Sequence, residues 1–61
     1  MTITNTEKRQ CAEREVKQRK YVYPRLVQNE RMTQQKANRE IEIMEAIAAD
    51  YRELEDRERL V

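Results

Sequence analysis

The sequence predicts an all-α protein, folded as a two-helix antiparallel hairpin that completes its core by dimerisation. Charged residues make up 41% of the 61 positions and glycine is absent. This composition favours helix, because strands and tight turns depend on β-branched residues and glycine. Apolar residues recur at steps of three and four in the second half, which is the spacing of one helical face. One polar stretch at 29–32 separates two helices within a single domain, 1–61.

The first helix is expected over about 5–28. Thr4 and Glu7 are three residues apart, as in a capping box, in which the Thr hydroxyl accepts a hydrogen bond from the Glu amide while the Glu side chain reaches back. Further along, a sparse apolar stripe faces the second helix, and the aliphatic part of Arg19 extends it. The apolar positions are Ala12, Val16, Tyr23, Leu26 and Val27.

Pro24 is the one helix breaker in the chain. It has no amide hydrogen to donate to the carbonyl of Lys20, and it disfavours helical geometry at Tyr23. Either the first helix is kinked there and continues, or a new helix begins at the proline. We expect the kink, since the apolar stripe continues across Pro24.

The second helix is expected over about 34–56, with Thr33 as its N-cap. One face carries the strongest apolar pattern of the chain, and we expect Ile41, Met44 and Ile47 to form the stability core. The pattern weakens after Leu54, which predicts a frayed C-terminus from about residue 56. The apolar face consists of Ala37, Ile41, Met44, Ala48 and Tyr51, widened by Ile47 and Leu54.

The composition argues against catalysis. Histidine, serine and glycine are all missing, so the usual bases, nucleophiles and phosphate-binding loops are not available. Cys11 is the only cysteine, and we expect a small, partly buried residue with no redox role. We therefore predict no enzyme activity and no catalytic, cofactor-binding or metal site. We also expect no small-molecule ligand.

No apolar stretch approaches the roughly 20 residues of a membrane-spanning helix, and the N-terminus lacks a signal-peptide pattern. The unpaired cysteine is typical of a reducing compartment. We expect a cytoplasmic protein that does not contact a membrane.

Charge is divided between the two halves of the chain. Residues 1–31 carry a net charge of +4 and residues 32–61 carry −3. A basic half and an acidic half can attract each other within one molecule or between two.

A partner is expected, because a core of this size rarely supplies more than ~3–5 kcal/mol without reinforcement. Ile43 points away from the seam that the other apolar residues offer to the first helix, so the second helix is apolar over more than one stripe. We predict a homodimer or a complex with another protein. The predicted interface consists of Ile43, Ile47, Tyr51 and Leu54.

A nucleic-acid-binding protein is the alternative. The segment 17–25 contains four basic residues, no acidic residue and two tyrosines, and phosphate contacts together with base stacking require basic and aromatic side chains. The residues that would bind are Lys17, Arg19, Lys20, Tyr21 and Arg25.

Three segments carry a resemblance to a known group of proteins: 19–25, 31–34 and 44–52, with the sequences RKYVYPR, RMTQ and MEAIAADYR. Across about residues 13–52, the chain resembles small uncharacterised accessory proteins of temperate, lambdoid bacteriophages and prophages, encoded between the excision and exonuclease genes. The resemblance implies a regulatory protein made early in the cytoplasm of a bacterial host. Such a protein would modulate the choice between lysis and lysogeny or the physiology of the host, and a partner other than a second copy would be a host or phage protein. It assigns no functional residue.

Overall fold

The protein is a hairpin of two long α-helices. The structure is a computed structural model that describes residues 2–59. Helix α1 comprises Asn5–Gln28 and helix α2 comprises Gln34–Arg59. They pack antiparallel, so that Asn5 near the start of α1 contacts Glu58 near the end of α2. The body measures 48 × 21 × 14 Å, a single layer one helix thick. The predicted all-α helical hairpin is confirmed.

Both helix starts are capped by threonine. The Thr4 hydroxyl accepts a hydrogen bond from the amide of Glu7 at 3.1 Å, and the Thr33 hydroxyl accepts one from the amide of Lys36 at the same distance. The Glu7 carboxylate accepts a hydrogen bond from the Thr4 hydroxyl at 3.3 Å. Each cap satisfies an amide that has no partner within its own helix.

The end of α1 is closed by a turn that usually contains glycine. The amide of Arg31 donates to the carbonyl of Leu26, and the amide of Glu30 donates to that of Val27. This is the hydrogen-bond pattern of a Schellman motif. Glu30 occupies its left-handed position, with φ of 61°, although a side chain with a Cβ costs about 1 kcal/mol there. A chain without glycine therefore ends its first helix with some backbone strain.

Helix α1 continues through Pro24. Of the two alternatives, the structure has the uninterrupted helix and not a new start at the proline. The half-buried residues Tyr23, Leu26 and Val27 on either side of Pro24 keep the stripe against α2. Packing of this stripe opposes the tendency of the proline to end the helix.

Helix α2 extends three residues beyond the predicted end at 56. Glu53 and Arg57 form an ion pair one turn apart, as do Glu55 and Arg59. Pairs at this spacing stabilise a helix after its apolar stripe has ended. The last two residues of the predicted frayed segment lie outside the described residues.

Small residues form the seam between the helices. Among residues 2–59, the buried apolar side chains are Ala12, Ala37 and Ala48. Ile41 and Met44 are half-buried, whereas Ile47 is 37% exposed. The prediction that Ile47 belongs to the core is therefore wrong. Alanine allows the helix backbones to approach closely, and the larger aliphatic residues then lie beside the seam instead of in it.

Candidate protein-interaction surface

An apolar strip runs along α2 beside the buried seam, and most of its side chains are exposed to solvent. We call Ile43, Ile47, Tyr51 and Leu54 the α2 strip. Ile43 is 40% exposed, Ile47 37% and Leu54 39%, while Tyr51 is half-buried. Residues spaced by three and four share a helical face, so the four side chains form a continuous surface. These are the residues that the sequence predicts as a partner interface.

A shallow groove of about 650 Å³ adjoins the α2 strip. Ile47 and Tyr51 form part of its α2 wall, and Cys11 lies on the α1 side. The Lys8 ammonium lies 5.4 Å from the centre of the Tyr51 ring, within the range of a cation–π contact. Cys11 is exposed, so the expectation that it is partly buried is wrong. The seam residue beside it is the smaller Ala12, which places the thiol at the edge of the groove.

The opposite side of the hairpin is bordered by charges. A groove of about 490 Å³ there is lined by Val16, Ala48 and Ala49 together with charged side chains. Lys20 pairs with Glu45 at 3.1 Å and Arg52 pairs with Glu13 at 3.0 Å. Both ion pairs link α1 to α2. Charged side chains line both grooves, and the first side differs in that exposed isoleucine lines its groove.

A carboxylate occupies the seam where the start of α1 lies beside the end of α2. Glu55 is 5% exposed and accepts a hydrogen bond from Arg9 Nε at 2.9 Å. Its other oxygen accepts one from Arg59 at 3.1 Å. The hydrogen bond from Arg9, followed by one from Thr6, holds the pKa of Glu55 below its ordinary value. Hydrogen bonds to Glu55 and Glu13 raise the pKa of Arg9 in turn.

Sequence reasoning missed this buried pair, because charged residues are usually assigned to solvent. A signal was present in the spacing. Glu55 follows Ala48 by seven residues and Ala37 by eighteen, and both intervals return to the same helical face. Arg9 precedes Ala12 by three residues and lies on the corresponding face of α1. The two charges thus continue the two seam stripes.

Basic residues of α1 form ion pairs with acidic residues of α2 inside the hairpin. Arg19 donates to the carbonyl of Glu40 at 3.0 Å, and its guanidinium lies 3.6 Å from the Glu40 carboxylate. This contact, with the Arg9–Glu55 and Lys20–Glu45 pairs, joins basic α1 to acidic α2. The opposite charges of the two halves therefore attract each other within this chain.

The predicted nucleic-acid segment, 17–25, lies in the second half of α1, where some of its charges already have partners. Arg19 pairs with Glu15 as well as with Glu40. The Arg25 guanidinium lies 4.7 Å from the Tyr21 ring centre and donates to the Tyr21 hydroxyl at 2.9 Å. Tyr21 is 65% exposed and Lys17 is exposed. Two of the four basic residues of the segment, Arg19 and Lys20, are thus paired with carboxylates, which reduces the electrostatic contribution on which such binding depends.

Within residues 2–59, neither helix has a window long and apolar enough to cross a membrane. In the same part of the chain, no three metal-ligating side chains come together.

Comparison of the chain with protein-family models, with curated proteins and with solved structures gives no match.

Proposed function

We propose that this chain is a protein–protein interaction module whose contact surface is the α2 strip. The observation that carries the proposal is the exposure of Ile43, Ile47 and Leu54 on one helical face. A short chain gains stability by burying such residues, yet here alanines occupy the seam. Contiguous aliphatic surface left in solvent is typical of protein interaction sites.

The proposed setting is that of a temperate-phage accessory protein, acting early in the cytoplasm of a bacterial host. The resemblance carried by 19–25, 31–34 and 44–52 supports this setting. In this role, the protein influences phage development or host physiology by occupying a surface of another protein molecule. Binding through a helix face requires only side chains that the chain already presents.

The test is a comparison of strip variants in a bacterial host that carries a temperate phage. We expect the wild-type chain to change the frequency of lysogeny or the growth of the host. Ile43→Glu combined with Leu54→Glu places two charges on the α2 strip and should abolish that effect. Gln35→Glu adds a charge at an exposed position of α2 outside the strip, and should behave like the wild type.

Equal effects of the wild type and the strip variant would contradict the proposal. A complementary measurement addresses nucleic acid through Lys17 and Arg25. Binding of the wild type to nonspecific duplex DNA that weakens steeply with salt, and that is lost in a Lys17→Gln/Arg25→Gln variant, would favour the nucleic-acid alternative.

A further inference from the structure

The hairpin exposes more surface than a folded chain of its mass requires. Its accessible area is 5195 Å². A compact monomer of this size exposes roughly 4,250 Å², so the excess is roughly 950 Å². The excess has a structural cause, because two helices side by side form one layer and domains are normally built from at least two. A standard interface buries about 800 Å² on each partner, so the surplus area is sufficient for one such interface.

The α2 strip is suited to a second copy of itself. Its ends, Ile43 and Leu54, are aliphatic, and Ile47 lies near its middle. When two such strips pack antiparallel about a two-fold axis, Ile43 of one copy lies beside Leu54 and Tyr51 of the other. The two Ile47 side chains then lie close to the axis. Apolar residues meet apolar residues along the whole contact, as an isologous interface requires.

The charges around the α2 strip favour antiparallel packing of two strips. Lys36, Arg39 and Glu40 lie at its N-terminal end and give a net charge of +1. Asp50, Arg57 and Glu58 flank its C-terminal half and give a net charge of −1. An antiparallel arrangement places the basic end of one strip beside the acidic end of the other. A parallel arrangement would place like charges together, which is unfavourable.

We propose that two copies of the chain associate through the α2 strip in an antiparallel, two-fold manner, giving a four-helix body. This inference rests on the proposed function and names its partner as a second copy. The association adds the missing second layer and covers the groove beside Ile47 and Tyr51.

Sedimentation equilibrium over micromolar concentrations tests the association. We expect the wild type to approach twice the chain mass of 7.5 kDa and to dissociate on dilution, with a melting temperature that rises with concentration. Ile47→Glu should sediment as a monomer, whereas Gln35→Glu should behave like the wild type. A wild-type mass near 7.5 kDa throughout, with a concentration-independent melting temperature, would overturn the proposal.

Cross-linking tests the geometry without relying on a destabilising charge. In a chain whose own thiol is removed by Cys11→Ala, Ile47→Cys places a thiol near the axis, and air oxidation should give covalent dimers. Gln35→Cys places an exposed thiol twelve residues away, so its two copies lie too far apart for a disulfide. Equal cross-linking of the two variants would show that association does not occur through the α2 strip.

The two proposals can fail separately. If the wild type is monomeric but the strip variants still lose their effect in the host, the interaction role stands and the partner is a different protein. If the wild type dimerises through the α2 strip but strip variants remain active, dimerisation stands and the host effect comes from another surface.

Discussion

The two ends of the hairpin are held together by different physical interactions. Near the loop, the most buried residue is Ala37, which is 2% exposed. Half-buried Leu26, Val27 and Met32 lie in the same part of the fold. At the end opposite the loop, the buried residue is Glu55, which accepts a hydrogen bond from Arg9. Apolar packing contains no titrating group, whereas an ion pair depends on pH, so acid should open the hairpin from the end opposite the loop.

The largest effect is expected from enlarging the seam at the loop end. Ala37→Leu introduces three carbons where the helix backbones approach closely, and overpacking costs ~1–3 kcal/mol. In a domain of this size, each kcal/mol lowers the melting temperature by roughly 4–8 °C. Thermal unfolding followed by circular dichroism measures the change. Ala49→Leu is the matched control, because Ala49 is exposed and should tolerate the larger side chain. Equal losses in the two variants would show that the seam is not closely packed.

The second prediction concerns Glu55 at the end opposite the loop. Folding lowers the pKa of Glu55 from its ordinary value of 4.5, so folding favours the ionised form. The resulting stabilisation is complete above that ordinary value and is lost as the pH falls through the lowered pKa. Glu55→Gln should therefore melt below the wild type at neutral pH, and the difference should shrink in strong acid.

The control for this prediction is Glu58→Gln. Glu58 contacts Asn5 near the same end but is exposed, so its replacement should cost less at neutral pH. Amide exchange locates the effect, with protection of 6–13 and 52–59 lost in acid before that of 21–27. If amide protection is lost at the same pH at both ends, the two ends are not stabilised by different interactions.

A third prediction concerns the turn that ends α1. Glu30→Gly removes the Cβ from the left-handed position and should stabilise the hairpin by about 1 kcal/mol. Glu30→Ala removes the same carboxylate but keeps the Cβ, so it should give no such gain. The difference between these two variants in chemical denaturation isolates the backbone contribution. If both variants gain equally, the charge of Glu30 and not its φ angle is what destabilises the turn.

Local patterns in the sequence were sufficient to predict the fold. Threonine caps, helix-forming composition and apolar periodicity act over a few residues, so they specify two helices and the loop between them. Which residues enter the seam depends on the distance between the helices, which is a tertiary property. The apolar pattern predicted Ile47 in the core. The helices approach so closely, however, that the neighbouring Ala48 is buried instead.

The same reasoning explains what was and was not foreseen at the candidate site. The residues of the α2 strip were identified because Ile43 departs from the main stripe, which a helical projection reveals. The pairing of Arg9 with Glu55 was missed, since a charge at a seam position is stable only when a partner on the other helix meets it. That partner becomes visible only once the register of the two helices is known.

The smallest effect is expected at the ion pair on the charged side. Lys20 and Glu45 lie 3.1 Å apart, but about half of each side chain is exposed. A double-mutant cycle with Lys20→Gln and Glu45→Gln should give a coupling of ~0.2–1 kcal/mol, because water screens exposed pairs. The coupling should vanish in molar salt, where the screening length is about 3 Å. The matched cycle with Arg9→Gln and Glu55→Gln should retain more of its coupling in salt, since that pair lies in the seam. Equal salt sensitivity of the two pairs would mean that burial of Glu55 does not protect the Arg9–Glu55 pair from screening.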